Sequence, residues 1–334
     1  MHFSKRFGST INEINKEKFD KIYSIKNLPK GQLNKDILNS INKGIGSFSS
    51  IVKKSKPKLA IILGDRYEML SAAMTCFFLK IPILHINGGE TTTGSLDDNI
   101  RNIITNLANY HCPPTFKSKY RINKILNKHN YIVNSGALGA YNASLIKKKN
   151  SFFFEKKYKF KFSKKNILIT LHPEKDFNFK LKKAKLFFDE LKNFKDTLKI
   201  FTSSNSDAYG LGINSLISKF VKKNNNSIFI KSFGKDDYLS ILNLMDCVVG
   251  NSSSGIIEAP ILKVPTINIG LRQNGREMSN SIFNVTFEKG KLRGSLKKIL
   301  KLKKKNIDFK SPYFKKNTPQ IILKLINKVF KNEL

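Results

Sequence analysis

The sequence predicts an α/β protein of two domains, each built on a parallel sheet. Three observations carry this. The chain has 334 residues, more than one ordinary core holds, and two domains of roughly 100–200 residues each is the natural division. Short apolar runs alternate with amphipathic stretches along most of its length, the signature of strands wrapped by helices. Polar loops follow the apolar runs consistently, as they do where ligands bind beyond the carboxyl ends of parallel strands.

Residues 58–63 read as a buried strand ended by Gly64-Asp65, residues 67–79 as a helix, and residues 81–86 as a second strand. Residues 97–110 read as a helix with Ile100, Ile103, Ile104 and Leu107 on one stripe. Later strands are expected at 166–171, 197–201, 227–230, 247–250 and 265–269. Helices are expected between them at about 177–193, 213–223 and 236–244. A composition break rich in Lys and Phe covers about 143–165, and the domain boundary is placed there. The expected organisation is a Rossmann-like domain over residues 1–145, a second over 165–315, and a terminal amphipathic helix within 318–334 that packs back toward the first domain.

The formal net charge is +37. The lysines are scattered, as at Lys147 to Lys149, Lys182 to Lys183 and Lys303 to Lys305, and read as a solvated surface whose field also attracts an anionic substrate. Aromatic residues interleaved with one clustered basic patch are not found, which argues against a nucleic-acid binder. Cys76, Cys112 and Cys247 are far apart, with no CxxC pair and no zinc-type spacing, so reduced thiols and no metal are expected. No apolar run reaches the roughly 18 residues of a membrane helix. The first residues lack the apolar core of a secretory signal. A cytoplasmic protein without membrane association is expected.

The loops carry the chemistry. Asp65 and Arg66 follow the first strand; Asn87 and Glu90, then Asp97 and Asp98, follow the second. His172 follows the next, Asn205 the one after, and Gly250-Asn251-Ser252-Ser253-Ser254-Gly255 and Gly270-Leu271-Arg272 come later. Each has an ordinary reading as well: an acidic pair caps a helix, Asp65-Arg66 forms a local ion pair, a loop histidine packs. Six strand ends from two domains supplying polar groups to one cleft tip the balance toward a site. The serine loop suits an anion best. Small residues let backbone N–H groups approach it, hydroxyls add donors, and a helix from about Ile256 adds its positive end. Glu258, one turn on, can take the vicinal hydroxyls of a ribose. GxxxxGK[ST] and GxGxxG are both absent, which removes the usual support for ATPase and nicotinamide readings.

Taken together, Gly64 to Glu68, His85-Ile86 with Gly88 to Glu90, Asp97-Asp98 with Ile100-Arg101, Gly136 to Gly139, His172-Pro173, Gly250 to Pro260 and Val264 to Gly270 with Arg272-Gln273 and Gly275-Arg276 resemble the hydrolysing UDP-N-acetylglucosamine 2-epimerases. The resemblance implies a glycosyltransferase-B-like fold, two Rossmann-like domains facing a cleft, with UDP on the second domain. It implies that Ser252, Ser253, Ser254 and Gly255 hold the diphosphate, that Arg66 and Arg272 neutralise it, and that Glu258 takes the ribose. His172 would assist departure of UDP. Asp65, Glu90, Asp97 and Asp98 would form the acid/base set, with Asn87 and Asn205 touching substrate. No cofactor is implied; a UDP-sugar and a homo-oligomer are the partners expected. The family begins with a strand and a Gly-Thr-Arg loop, whereas Met1 to Gly8 matches a segment further along. The first domain is therefore expected to lack its first strand, and the chain to be less stable and less active than an extended form. Asn87 stands where the family has Glu or His, and Asn cannot shuttle a proton.

The expected reaction converts a UDP-N-acetylglucosamine-type sugar to UDP and an N-acetylmannosamine-type sugar by elimination and hydration of a glycal. It needs carboxylates around the ring and a cationic site for the leaving diphosphate. The alternatives are a glycosyltransferase on the same fold and an inactive nucleotide-sugar-binding relative.

Overall fold

A computed structural model describes residues 3, 11–29, 31, 33–126, 131–174, 180–205 and 209–331. The chain divides into two compact units. One holds a three-stranded sheet and comprises Phe19–Tyr141, Asn274–Glu277 and Pro312–Leu334; the other holds a six-stranded sheet and comprises Met1–Lys18, Asn142–Gln273 and Met278–Ser311. All strand pairs in both sheets are parallel. The fold is α/β.

In the small-sheet unit the chain runs α1 (Asn34–Ser55), β1 (Ala60–Leu63), α2 (Tyr67–Phe78), β2 (Ile83–Ile86), α3 (Asp97–Leu107), β3 (Tyr110–Cys112) and α4 (Phe116–Leu126). The strand order is β1-β2-β3, with Leu63 beside Ile86 and Ile86 beside Cys112. The two faces follow the twofold alternation of strand side chains. Ile62 and Ile83 pack with Val52, Ala72, Ala73, Cys76 and Ile104 on one face. Leu84, Ile86 and Cys112 meet Ile322 and Leu325 of the terminal helix Thr318–Phe330 on the other. That helix is held by its first residue as well, since the buried Thr318 hydroxyl donates to the Ser135 carbonyl, 2.8 Å. β1 is less covered: Ile61 and Leu63 remain 54% and 49% exposed.

The helix α5 (Leu138–Ser144) spans the division between the units, and the large-sheet unit continues with α6 (Ser151–Tyr158), β4 (Lys165–Thr170), α7 (Lys180–Lys192), β5 (Thr197–Thr202), α8 (Gly210–Lys222), β6 (Ser227–Ile230), α9 (Lys235–Asn243), β7 (Cys247–Gly250), α10 (Ser254–Ile257), β8 (Thr266–Ile269), β9 (Ile282–Val285) and α11 (Lys291–Lys301). The order is β6-β5-β4-β7-β8-β9. Ile167, Ile169, Phe201, Val249 and Ile267 face Phe187, Phe188, Leu191, Phe220 and Leu296. Leu168, Leu198, Ile200 and Val248 face Phe154, Phe233, Leu239 and Leu242. A sheet buried on both faces explains why these strands read as unbroken apolar runs.

The structure differs from the sequence expectation in definite places. The helix expected over 97–110 ends at Leu107, because Tyr110–Cys112 pairs with β2 as a strand. The stretch 143–165 contains α6, whose Phe154 and Tyr158 rings pack against Phe233, so it is part of the large-sheet unit, and the boundary expected within it falls between Tyr141 and Asn142. Residues 11–18 also belong to that unit, not to the domain expected over 1–145: a Glu13 carboxylate oxygen accepts the Lys235 N–H at 3.0 Å. Residues 274–277 likewise belong to the small-sheet unit and fall outside the expected 165–315 domain. The segment on which the expectation of a missing first strand rests lies, apart from Phe3, outside the described residues, as do 206–208 beside Asn205 and 332–334 at the end of the expected terminal helix.

Candidate active site

Two polar arrays lie at the carboxyl ends of the strands, one in each unit. In the small-sheet unit the organising side chain is Arg101, on α3, only 1% exposed. Its Nε donates to Asp65 Oδ2 at 2.8 Å and its Nη2 donates to the same oxygen. Nη1 reaches the Glu90 carbonyl at 2.9 Å and Asp98 Oδ1 at 3.3 Å, and Nη2 the Thr92 hydroxyl at 3.1 Å. One guanidinium thus joins the loop after β1 to the loop after β2 and to the first turn of α3. The fork geometry of arginine is what allows one cation to serve so many acceptors.

Burial pushes the Asp65 carboxyl up, but the charges of Arg101 and Arg276, the Arg101 hydrogen bonds and the charge of Arg66 outweigh it, and its pKa lies below the usual carboxylate value. Both Arg101 bonds to Asp65 land on Oδ2, which leaves Oδ1 outside the ion pair. Asp98 also accepts the Thr92 N–H at 2.6 Å. Asp97 stands one step aside: its carboxylate takes the Ser95 hydroxyl at 2.9 Å, and its own N–H donates to that hydroxyl at 3.2 Å, as a helix-start residue does.

Glu90 is buried between two partners. Oε1 lies 2.9 Å from the Tyr313 hydroxyl, and Oε2 is 3.1 Å from Arg276 Nη2. Burial and the negative charge of Glu90 raise the Tyr313 phenol well above its ordinary value, so it stays protonated and donates. Arg121 also donates to the Glu90 carbonyl. These groups line a cavity of about 200 Å³ together with Gly89 and Lys117. Asn87 adopts a left-handed backbone (φ +63°), and its buried Oδ1 has no hydrogen-bond partner among the described residues. Arg66 pairs with Glu68 at 3.5 Å and lies over the Tyr67 ring; the local Asp65–Arg66 pair considered from the sequence gives way to Asp65–Arg101.

In the large-sheet unit the organising residue is Asn251. Its Oδ1 accepts the His172 N–H at 2.7 Å and its Nδ2 donates to the His172 carbonyl at 3.0 Å. Its own carbonyl accepts from Arg272 Nη1 at 3.3 Å and from Gln273 Nε2 at 2.8 Å. Asn251 therefore draws together the loops after β4, β7 and β8. The adjoining Gly250 (φ +141°) lies so close to Thr170 that a Cβ there would run into the Thr170 carbonyl oxygen. His172 Nδ1 accepts the Asn205 N–H at 3.1 Å, which places the neutral ring's proton on Nε2. The Ser204 hydroxyl lies 3.4 Å from the same nitrogen.

The serine loop is tight. The Ser254 N–H approaches the Ser252 hydroxyl at 3.4 Å and the Ser254 hydroxyl accepts from Tyr238 at 2.7 Å. Gly255 packs against Thr266, where a Cβ would come within 2.7 Å of its methyl. The helix expected from about Ile256 starts earlier, at Ser254, and runs for only four residues, so its dipole adds little. Glu258 follows directly.

The structure thus brings Asp65, Glu90 and Asp98 around Arg101, and His172, Asn205 and Arg272 around Asn251. Sequence reasoning singled out neither Arg101 nor Asn251, although both stand inside quoted motifs. Arg276, quoted in a motif, was given no role, and Tyr313, distant from Glu90 in sequence, and Glu174, next to His172-Pro173, were not singled out either. Among the described residues no group of three or more His, Cys, Asp or Glu could hold a metal ion, and no helix is long and apolar enough to cross a membrane.

The family profile described as UDP-N-acetylglucosamine 2-epimerase matches residues 1–327. The chain belongs to this family. It is 35% identical to the GDP/UDP-N,N'-diacetylbacillosamine 2-epimerase (hydrolyzing) of Campylobacter jejuni over 292 residues, covering 85% of this chain and 74% of that protein. It is 32% identical to the polysialic acid biosynthesis protein P7 of Escherichia coli, covering 100% of this chain and 86% of that one. The crystal structure of UDP-GlcNAc 2-epimerase from Neisseria meningitidis bound to UDP-GlcNAc superimposes with a TM-score of 0.75 at 18% identity, over 90% of this chain and 83% of that one. At that identity the likeness speaks for the fold.

Proposed function

We propose that this 2-epimerase family member is the hydrolysing kind, converting a UDP-N-acetylglucosamine-type sugar to UDP and an N-acetylmannosamine-type sugar. A carboxylate of the Asp65, Glu90, Asp97 and Asp98 set takes the proton from C2 while the C1–oxygen bond to UDP breaks, giving a glycal. Water then adds its oxygen to C1, and C2 is protonated from the opposite face. The small-sheet unit supplies carboxylates in distinct environments, as a proton removal and a proton return require. Asp65 is held as an anion by arginine charge, with Oδ1 outside the Arg101 ion pair. The large-sheet unit supplies the leaving-group site: the serine loop, Arg272 and Glu258 for UDP, with His172 assisting its departure as a hydrogen-bond donor.

The observation that carries this reading is the Asn205 N–H bond to His172 Nδ1. It puts the imidazole proton on Nε2, from where the neutral ring can donate a hydrogen bond to a departing diphosphate. The Campylobacter jejuni relative is named as a hydrolysing 2-epimerase of GDP/UDP-N,N'-diacetylbacillosamine, which supports the substrate class. The test is incubation with UDP-N-acetylglucosamine, and separately with its 4-acetamido counterpart, without any acceptor sugar. Free UDP together with the free 2-epimeric sugar is expected. UDP release only when an acceptor is added would mean glycosyl transfer instead, and binding without turnover an inactive relative.

A further inference from the structure

The His172 loop and the Arg272 loop are joined a second time, by a side chain the reaction scheme does not use. Glu174 Oε1 accepts the N–H of Leu271 at 2.7 Å and that of Arg272 at 3.2 Å. The two amides follow Gly270, whose φ is +81°. Successive N–H groups after a left-handed residue form a concavity that favours an anion. Here the chain's own carboxylate fills it. The fit depends on Gly270 having no side chain, since a Cβ would strike Glu174 Oε1 and come within 2.5 Å of the Phe287 ring. Lys183, 3.9 Å from Glu174 Oε2, balances the charge from α7.

We propose that Glu174 is a positioning residue for the anion site, an internal anion that fixes the backbone of Arg272 and its distance from His172. With the Leu271 and Arg272 amides occupied, substrate phosphates are left to the Arg272 guanidinium and the serine loop. The Asn251 carbonyl then holds that guanidinium from below through Nη1. Glu174 and Asn251 thus clamp Arg272 at its two ends, backbone and side chain. A carboxylate hydrogen-bonded to two amides has no counterpart in Ala, and Asp is too short by one methylene to reach.

The inference rests on the proposed reading of the UDP site, and its test separates the two. Amide hydrogen exchange, which reports local opening, requires no substrate. Leu271 and Arg272 N–H are expected to be protected in the parent chain, to lose protection in Glu174→Ala and Glu174→Asp, and to keep most of it in Glu174→Gln, which retains the acceptor oxygen. In turnover, Glu174→Ala is expected to raise KM for the UDP-sugar about tenfold, the effect of losing a charged hydrogen-bond partner, with kcat changed less than about threefold and with Gln restoring most of KM. Unaltered exchange at both amides overturns the proposal, and so does altered exchange with unaltered KM. If Glu174→Ala does not fold, the Asp and Gln pair carries the same comparison. A parent chain that neither binds nor turns over UDP-sugars would overturn the proposed function, and the exchange measurement would still decide whether Glu174 fixes the loop.

Discussion

Replacing Arg101 by Met tests the small-sheet array most sharply. Methionine fills much of the same space but has no charge and no donor. Asp65 loses both of its bonds from Arg101, and Asp98 and Thr92 lose one each. Arg121 still reaches the Glu90 carbonyl, so the loss falls mainly on the two aspartates. Removing one partner of a buried ion pair costs about 3–5 kcal/mol. In a unit of this size each kcal/mol moves Tm by about 2–4 °C, so a fall of about 6–20 °C is expected. The sign with pH follows from Asp65. In the parent chain its pKa is depressed, so its contribution to stability is present above the unfolded value and lost as pH falls through the folded one. Without Arg101, burial pushes that carboxyl up against the remaining charges of Arg276 and Arg66, and Asp65 protonates earlier on acidification. The difference in unfolding free energy between parent and variant is therefore expected to be largest near neutral pH and to narrow toward pH 4. Urea titrations at several pH values measure it. A loss under about 1 kcal/mol, or a gap that widens on acidification, would refute the array as described.

Three further expectations follow from other parts of the structure. His85 and His111 are fully buried side by side on β2 and β3, and burial lowers both to about 4 from an ordinary value near 6.5; stability is thus expected to be full above about pH 6.5 and to fall between there and pH 4, by up to about 3 kcal/mol for each, and equal urea midpoints at pH 7.5 and 5 would contradict it. Gly250→Ala, with its Cβ forced onto the Thr170 carbonyl at a positive φ, is expected to cost about 3 kcal/mol or more by the magnitude of strain and overpacking, and a thermal melt like the parent's would show that the turn relaxes freely. Ser253→Ala is expected to weaken UDP binding by about 1–3 kcal/mol; calorimetry giving the same affinity as the parent would remove Ser253 from the diphosphate site.

Much of the architecture was legible because the strands are short, apolar and bounded by polar loops. Ser227–Ile230 and Cys247–Gly250 stand where periodicity places them. Tyr110–Cys112 was hidden because His111 and the preceding Asn109 do not read as strand residues; pairing with β2 and burial of His111 impose the extended form. The helix Ser151–Tyr158 was hidden by a lysine-rich stretch with little periodicity, yet Asn150 caps it, accepting the Phe153 N–H at 3.0 Å, and Phe154 anchors it. Loop residues in the site could be picked out by type and by position after a strand. Their pairing could not. Nothing in the spacing of Glu90, Arg276 and Tyr313 announces that they meet, because the segments carrying Arg276 and Tyr313 return to the small-sheet unit from far along the chain. The same holds for Glu174 and Leu271, which only the adjacency of the loops after β4 and β8 brings together.

The central claim is that this chain eliminates UDP by removing the proton at C2. Turnover of UDP-N-acetylglucosamine, or of its 4-acetamido counterpart, in deuterated water with mass analysis of the released sugar tests it directly. The account predicts UDP release without an acceptor and one deuterium at C2 of a 2-epimeric product. Release of a sugar with unchanged configuration and no deuterium would mean simple hydrolysis at C1 and would contradict it.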